Sequence, residues 1–98
     1  MESRKLIINR KAALSYYRVA LWYHVNKGYS FAETFEQNIK ETVDTIVKTP
    51  TIGRFEKKLN NREYRSFLSH PLSRIYYWFN TSEVHIVEIL STKSSTDF

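Results

Sequence analysis

Hydrophobic and polar positions change period along the chain. Lys5 to Asn9 (KLIIN) is a short run rich in β-branched residues and predicts an opening strand. From Arg10 to Val25 the period becomes helical. Leu14, Tyr17, Leu21 and Val25 recur at spacings of three and four and draw one apolar stripe, while Ser15, Arg18 and Asn26 fall elsewhere. Asn26, Lys27 and Gly28 end that helix, glycine being free to take the left-handed conformation that closes it. Ser30 followed by Glu33 has the spacing of a capping box, and Ala32, Phe35, Ile39, Val43, Ile46 and Val47 carry a second apolar stripe to Thr49, where Pro50 disfavours further helix. A connection of about four residues makes the two helices an antiparallel hairpin.

Beyond Pro50 the pattern is that of strands. Thr51 to Asn61 reads as a basic connector, with Asn60-Asn61 a turn because asparagine tolerates left-handed geometry. Glu63 to Leu68, Ser73 to Phe79 and Val84 to Leu90 then predict three strands. In the last, Val84, Ile86 and Glu88 face one side and His85, Val87 and Ile89 the other; neither side is cleanly polar, so the strand is expected to be central or covered on both faces. The expected fold is α+β, in the order β-α-α-β-β-β, with a helical hairpin on one face of a mainly antiparallel four-stranded sheet. The polar tail from Ser91 to Phe98 is expected to fray.

Composition narrows the function classes. Ninety-eight residues leave room for one core, so residues 1–98 form a single domain. The absence of cysteine removes disulfides and thiolate chemistry. The start offers only Leu6 to Ile8 as an apolar run, far short of a signal peptide or a membrane span, and a cytoplasmic location follows by default. A formal net charge of +5 calls for an anionic partner, whether nucleic acid or an acidic protein segment. No two histidines stand at a metal-ligand spacing, so neither a metal nor another cofactor is expected.

The ordered set Ala32 and Phe35, Pro50 with Gly53-Arg54, Tyr64-Arg65 with Phe67, Ile75 and Tyr77, then Val84, Ile86 and Ile89 resembles the RelE/ParE toxin superfamily over residues 4 to 90. Plasmid stabilisation proteins and other toxins of type II toxin-antitoxin pairs make up that group. The resemblance implies a toxin bound and neutralised by a cognate antitoxin, as a toxin-antitoxin hetero-oligomer or with a homodimeric toxin. Its RelE-like branch cleaves mRNA in the ribosome, and its ParE-like branch inhibits DNA gyrase.

Cleavage without a metal needs a group to activate the 2′-hydroxyl, cations for the pentacoordinate phosphate and an acid for the leaving oxygen. On the RelE-like pattern the catalytic set would be Arg65, Arg74, Lys57 and Lys58. On either pattern Arg54, Lys57, Lys58, Arg65 and Lys93 would meet the target or the antitoxin. Residues 91 to 95 read Ser-Thr-Lys-Ser-Ser, without the tyrosine or histidine of RelE-like enzymes, and Lys93 is a poor acid or base near neutrality. The ParE-like branch is therefore the closer match, with protein-protein inhibition as its mechanism and mRNA cleavage as the alternative.

Arg65 can anchor a phosphate or carboxylate, or close an ion pair within the fold. His70 before Pro71 can shuttle a proton or simply sit in a turn; His24 and His85 read as structural. Tyr76 and Trp78 with their neighbouring cations suggest a stacking platform for a single-stranded nucleic acid, whereas Tyr17, Phe35, Phe67 and Tyr77 are assigned to the core. A nonspecific nucleic-acid binder and an inactive family member remain as further readings.

Overall fold

The computed structural model describes residues 4–69 and 73–91. The chain runs β1 (Lys5–Ile8), α1 (Arg10–Asn26), α2 (Tyr29–Lys48), a 3-10 turn (Pro50–Ile52), β2 (Arg54–Leu59), β3 (Arg62–Ser69), β4 (Ser73–Phe79) and β5 (Glu83–Ser91). The strands form one sheet in the order β1-β5-β4-β3-β2. Pairing is antiparallel throughout except for β1, which runs parallel to β5. The α+β class and element order expected from the sequence are present, with two differences. The sheet has five strands, because the segment read as a basic connector is an edge strand. It is mixed, because the chain enters beside its own last strand.

β2 escaped notice for a physical reason. Arg-Phe-Glu-Lys-Lys-Leu has no apolar alternation, since an edge strand that is largely exposed needs none, and charge on an edge also discourages pairing with other chains. The Asn60-Asn61 turn that joins it to β3 is as expected. Both residues have positive φ, 53° and 64°, the geometry of a two-residue hairpin loop.

Asn9 caps α1, its side chain accepting a hydrogen bond from the backbone N–H of Ala12 at 2.8 Å. Gly28, at φ 94°, separates the helices as expected. The capping box is not formed: α2 begins at Tyr29, two residues too early for Ser30 to cap it, and no side chain caps its start. In α2 the predicted stripe is the buried one, with Ala32, Phe35, Ile39, Val43 and Ile46 all inside.

α1 is turned the other way from expectation. Ala12, Ala20 and Tyr23 are buried, and Leu14, Tyr17, Leu21 and Val25 point outward. Two alanines let α1 approach β5 and α2 closely, so tertiary packing selects the smaller stripe over the larger. Phe35 joins the helices by stacking on Tyr16 and Tyr23, with ring centroids 5.7 and 5.2 Å away.

β5 is central, as its two-sided apolar pattern suggested, but its alternation is broken. A bulge opposite Tyr76 and Tyr77 inserts Val87, so Ile86 and Ile89 both join the core beneath the helices. Glu88, just past the bulge, is buried and holds α1 to the sheet. It accepts hydrogen bonds from Ser15 Oγ at 2.5 Å and from its neighbour Ile89 N–H at 3.0 Å, and pairs with Lys11 at 3.2 Å. Ser91, expected to begin a frayed tail, ends β5; the rest of that tail lies outside the described residues.

A buried tyrosine fixes the turn that launches β2. Tyr77 Oη donates to the Pro50 carbonyl at 2.6 Å and accepts from the Gly53 N–H at 2.9 Å. A side chain on Gly53 would collide with that hydroxyl and stand 2.9 Å from the Ser66 carbonyl, so glycine is required by close approach.

Candidate functional site

Both helices pack on one side of the sheet, against β5 and β3, and no described helix covers the other. Alternation decides which residues reach that bare side. In β4, Ile75 and Tyr77 point to the helices, leaving Arg74, Tyr76 and Trp78 on the bare face. Cross-strand pairing then adds Ser66 opposite Tyr76 and His85 opposite Trp78, and in the edge hairpin Arg54 opposite Ser66, Lys57 opposite Tyr64 and Leu59 opposite Arg62.

Two groups of side chains organise this face. In the first, Glu56 sits at the bulge between Phe55 and Lys57. It accepts from Ser66 Oγ at 2.5 Å and from the Arg54 guanidinium at 3.0 and 2.8 Å, and Arg74 Nη1 donates to the same Ser66 oxygen at 2.9 Å. Burial alone would raise the Glu56 pKa; the Ser66 hydrogen bond, then Arg54 and Arg74, outweigh it and hold the carboxyl below its usual value. Burial and the Glu56 charge push the neighbouring Tyr76 hydroxyl up, so it stays neutral at physiological pH.

A depressed carboxylate stabilises the fold above its unfolded pKa, and that contribution is lost as pH falls through the folded value. Urea unfolding from pH 6 to pH 3 is accordingly expected to show stability falling below about pH 4.5, the ordinary value for this group. Glu56→Gln is expected to flatten part of that fall, and an unchanged pH profile would contradict the network.

The second group is a layered stack. The Arg62 guanidinium lies 4.3 Å from the Trp78 ring centroid, and His85 stacks on Trp78 at 4.0 Å with 7° between planes. His85 Nε2 is 3.0 Å from Glu83 Oε1. Lys57 approaches the Tyr64 ring at 5.9 Å, and Asn9 and Lys11 complete the wall of a shallow depression of about 440 Å³.

The cations singled out in the sequence are thus divided. Arg54, Lys57 and Arg74 share the bare face, and Lys58 follows Lys57 along the edge strand with its side chain exposed. Arg65, grouped with Arg74 and Lys57 from the sequence, is instead on the opposite side, because it pairs across the strands with the core residue Tyr77. Its guanidinium donates to the Gly53 carbonyl at 2.7 Å and pairs with Glu63 at 2.5 Å, so it braces the turn before β2. Lys93 and His70 lie outside the described residues. Ser66, the hydroxyl nearest the arginines, is fully buried and already bonded to both partners. Among the described residues, no group of three or more histidines or acidic residues is placed to hold a metal ion.

The bare face can therefore neutralise phosphate or carboxylate groups, and its aromatic rings are already layered with its own cations. The sequence named Arg54, Arg74 and Lys57 of this face. It singled out Trp78 for stacking but missed Arg62 and His85, whose layering on that ring gives no signal until the register is known.

A second open region lies on the helix side. Between the diverging halves of α1 and α2, above β5, is an apolar cleft of about 420 Å³ with Leu6, Ile8, Ile86 and Ile89 at its base and Tyr16 and Val43 on its walls. No helix among the described residues is long and apolar enough to cross a membrane.

No family model matches the sequence, and no curated protein matches it. The fold has a solved counterpart. A chain from the structure described as "Chromosomal ParDE TA system from P. aeruginosa" superposes with a TM-score of 0.73, covering 91% of this chain and 96% of that one at 20% sequence identity. The two share a fold over most of both chains.

Proposed function

We propose that this protein is the toxin of a type II toxin-antitoxin pair, arresting growth by binding an essential target and neutralised by a cognate antitoxin. The observation that carries this reading is the shared fold, which spans nearly all of both chains. Small domains with one fold can serve unrelated ends. Two local features support the specific assignment. The apolar cleft and the outward side of α1, where Leu14, Tyr17, Leu21 and Val25 are exposed among the described residues, support a protein partner. The bare sheet face supplies a cationic surface for an anionic partner or target.

The ParE-like reading, inhibition of DNA gyrase by binding, is favoured over mRNA cleavage in the ribosome by the arrangement of the charges. Arg65 and Arg74, the two arginines a ribonuclease site would pool, emerge on opposite faces of the sheet. Arg54 and Arg74 are committed to Glu56 and Ser66. Purified protein is expected to inhibit supercoiling by gyrase and to leave mRNA intact on programmed ribosomes. Ribosome-dependent mRNA cleavage abolished by Arg74→Ala would move the protein to the other branch.

A further inference from the structure

Three donated hydrogen bonds converge on one carboxylate oxygen of the bare sheet face. Ser66 Oγ, Arg54 Nε and Arg54 Nη2 all meet Glu56 Oε2, at 2.5, 3.0 and 2.8 Å. The edge of a guanidinium is a two-pronged fork that matches two oxygens of one anion. Here both prongs close on a single oxygen. Arg74 donates to Ser66 Oγ at 2.9 Å and forms no ion pair among the described residues. Two guanidiniums therefore share one negative charge, and the group keeps a positive charge in excess.

The carboxylate is also the one member of the group that can leave. Glu56 is the extra residue of the bulge in β2, between Phe55, paired with Arg65, and Lys57, paired with Tyr64. A bulge re-aims a side chain without ending the strand. Because the ladder is held on both sides of it, rotating the Glu56 side chain outward breaks no strand pairing. β2 is the outermost strand, and the side chains of Arg54 and Glu56 are 62 and 20% exposed, so the group opens to solvent. Ser66 is fully buried and fixed in β3 opposite Tyr76.

We propose that Arg54, Ser66 and Arg74 form a binding site for a phosphate monoester, and that Glu56 is its resident occupant, displaced as the ligand enters. A phosphate monoester is close to a dianion at neutral pH. It neutralises both guanidiniums where the carboxylate neutralises one, and its three terminal oxygens serve the Arg54 fork, the Ser66 hydroxyl and Arg74 together. A phosphodiester carries one charge and gains nothing over Glu56 on that count, so the site discriminates against the backbone of a nucleic acid. The ligand is a small phosphorylated molecule or a phosphorylated chain end. This site goes beyond the toxin reading and does not depend on it.

The test is calorimetric titration of the full chain at constant ionic strength. The ligands are inorganic phosphate, adenosine 5′-monophosphate, and a short oligonucleotide ending in a 5′-phosphate or a 5′-hydroxyl. Inorganic phosphate is expected to bind the wild type weakly and Glu56→Ala about tenfold more tightly, because the competing charged hydrogen bonds are gone. Glu56→Gln, which keeps the shape without the charge, falls between. Sulfate, a dianion of the same shape, competes, and chloride does not. Arg74→Ala added to Glu56→Ala returns the affinity to the wild-type level or below. Arg18→Ala, an equal loss of charge on the helix side, changes it by less than about twofold, since distant exposed charges are screened. Of the oligonucleotides, the phosphorylated one binds more tightly; whether it or the mononucleotide binds best distinguishes a chain end from a small molecule.

Circular dichroism checks that the variants fold. If Glu56→Ala does not, Glu56→Gln and the thermal unfolding of the wild type, which phosphate raises by mass action, carry the test. Equal affinity of the wild type and the Glu56 variants, or no phosphate binding by any of them, would overturn the proposal. So would an Arg18→Ala effect as large as that of Arg74→Ala, or tighter binding of the hydroxyl-ended oligonucleotide than of the phosphorylated one.

Discussion

Tyr77→Phe is expected to destabilise the protein by about 2–4 kcal/mol, although it removes a single oxygen. The ring would stay in place, so no cavity forms. What is lost is the pair of buried hydrogen bonds to the Pro50 carbonyl and the Gly53 N–H, and each stranded group costs about 1–3 kcal/mol in the interior. Burial raises the Tyr77 pKa, partly offset by the Gly53 hydrogen bond and the Arg65 charge. A raised tyrosine contributes stability that is complete below the unfolded value of 10.0 and is lost as pH rises through the folded one. Urea titration of wild type and variant checks both statements: a large gap at pH 7, narrowing in strong alkali. Tyr17→Phe is the control, expected to change stability by less than about 0.5 kcal/mol because that ring is on the surface.

Phe35→Ala is expected to cost still more, about 3–5 kcal/mol, as a truncated core aromatic that leaves a cavity. Phe35 is fully enclosed and is the ring on which Tyr16 and Tyr23 stack, so its loss also loosens α1 from α2. Against a domain stability on the order of 5–15 kcal/mol, the variant is expected to be partly unfolded at 37 °C. Thermal unfolding by circular dichroism measures this. A shift no larger than that of Tyr17→Phe would mean that the helical hairpin is not held by this cluster.

These two residues also mark how far the sequence could be read. Phe35 and Tyr77 were both assigned to the core, Phe35 on the apolar stripe of α2 and Tyr77 because so small a domain needs large side chains inside, and both are there. α1 offered two stripes of equal spacing, Leu14-Tyr17-Leu21-Val25 and Ala12-Tyr16-Ala20-Tyr23. The larger side chains drew the expectation, yet packing chose the alanines. That reversal is informative, since it turned an expected core into an exposed surface. β2 was hidden because its residues answer to solvent, and the Val87 bulge because one inserted residue leaves no mark on composition. The hydroxyl contacts of Tyr77 could not be seen either, for Pro50 and Gly53 meet it only after the sheet has formed. Of the candidate cations, Arg54, Lys57 and Arg74 fall on one face, whereas Arg65, grouped with Arg74 from the sequence, is on the other, because a register invisible in the sequence sets it opposite Tyr77.

The most direct measurement of the central claim is growth of a bacterial culture carrying this gene under an inducible promoter, alone and together with its neighbouring reading frame. The account predicts arrest within a few generations when the protein is made alone and normal growth when the neighbour is made with it. Unimpaired growth in both cultures, with folded protein detected in the cells, would contradict it.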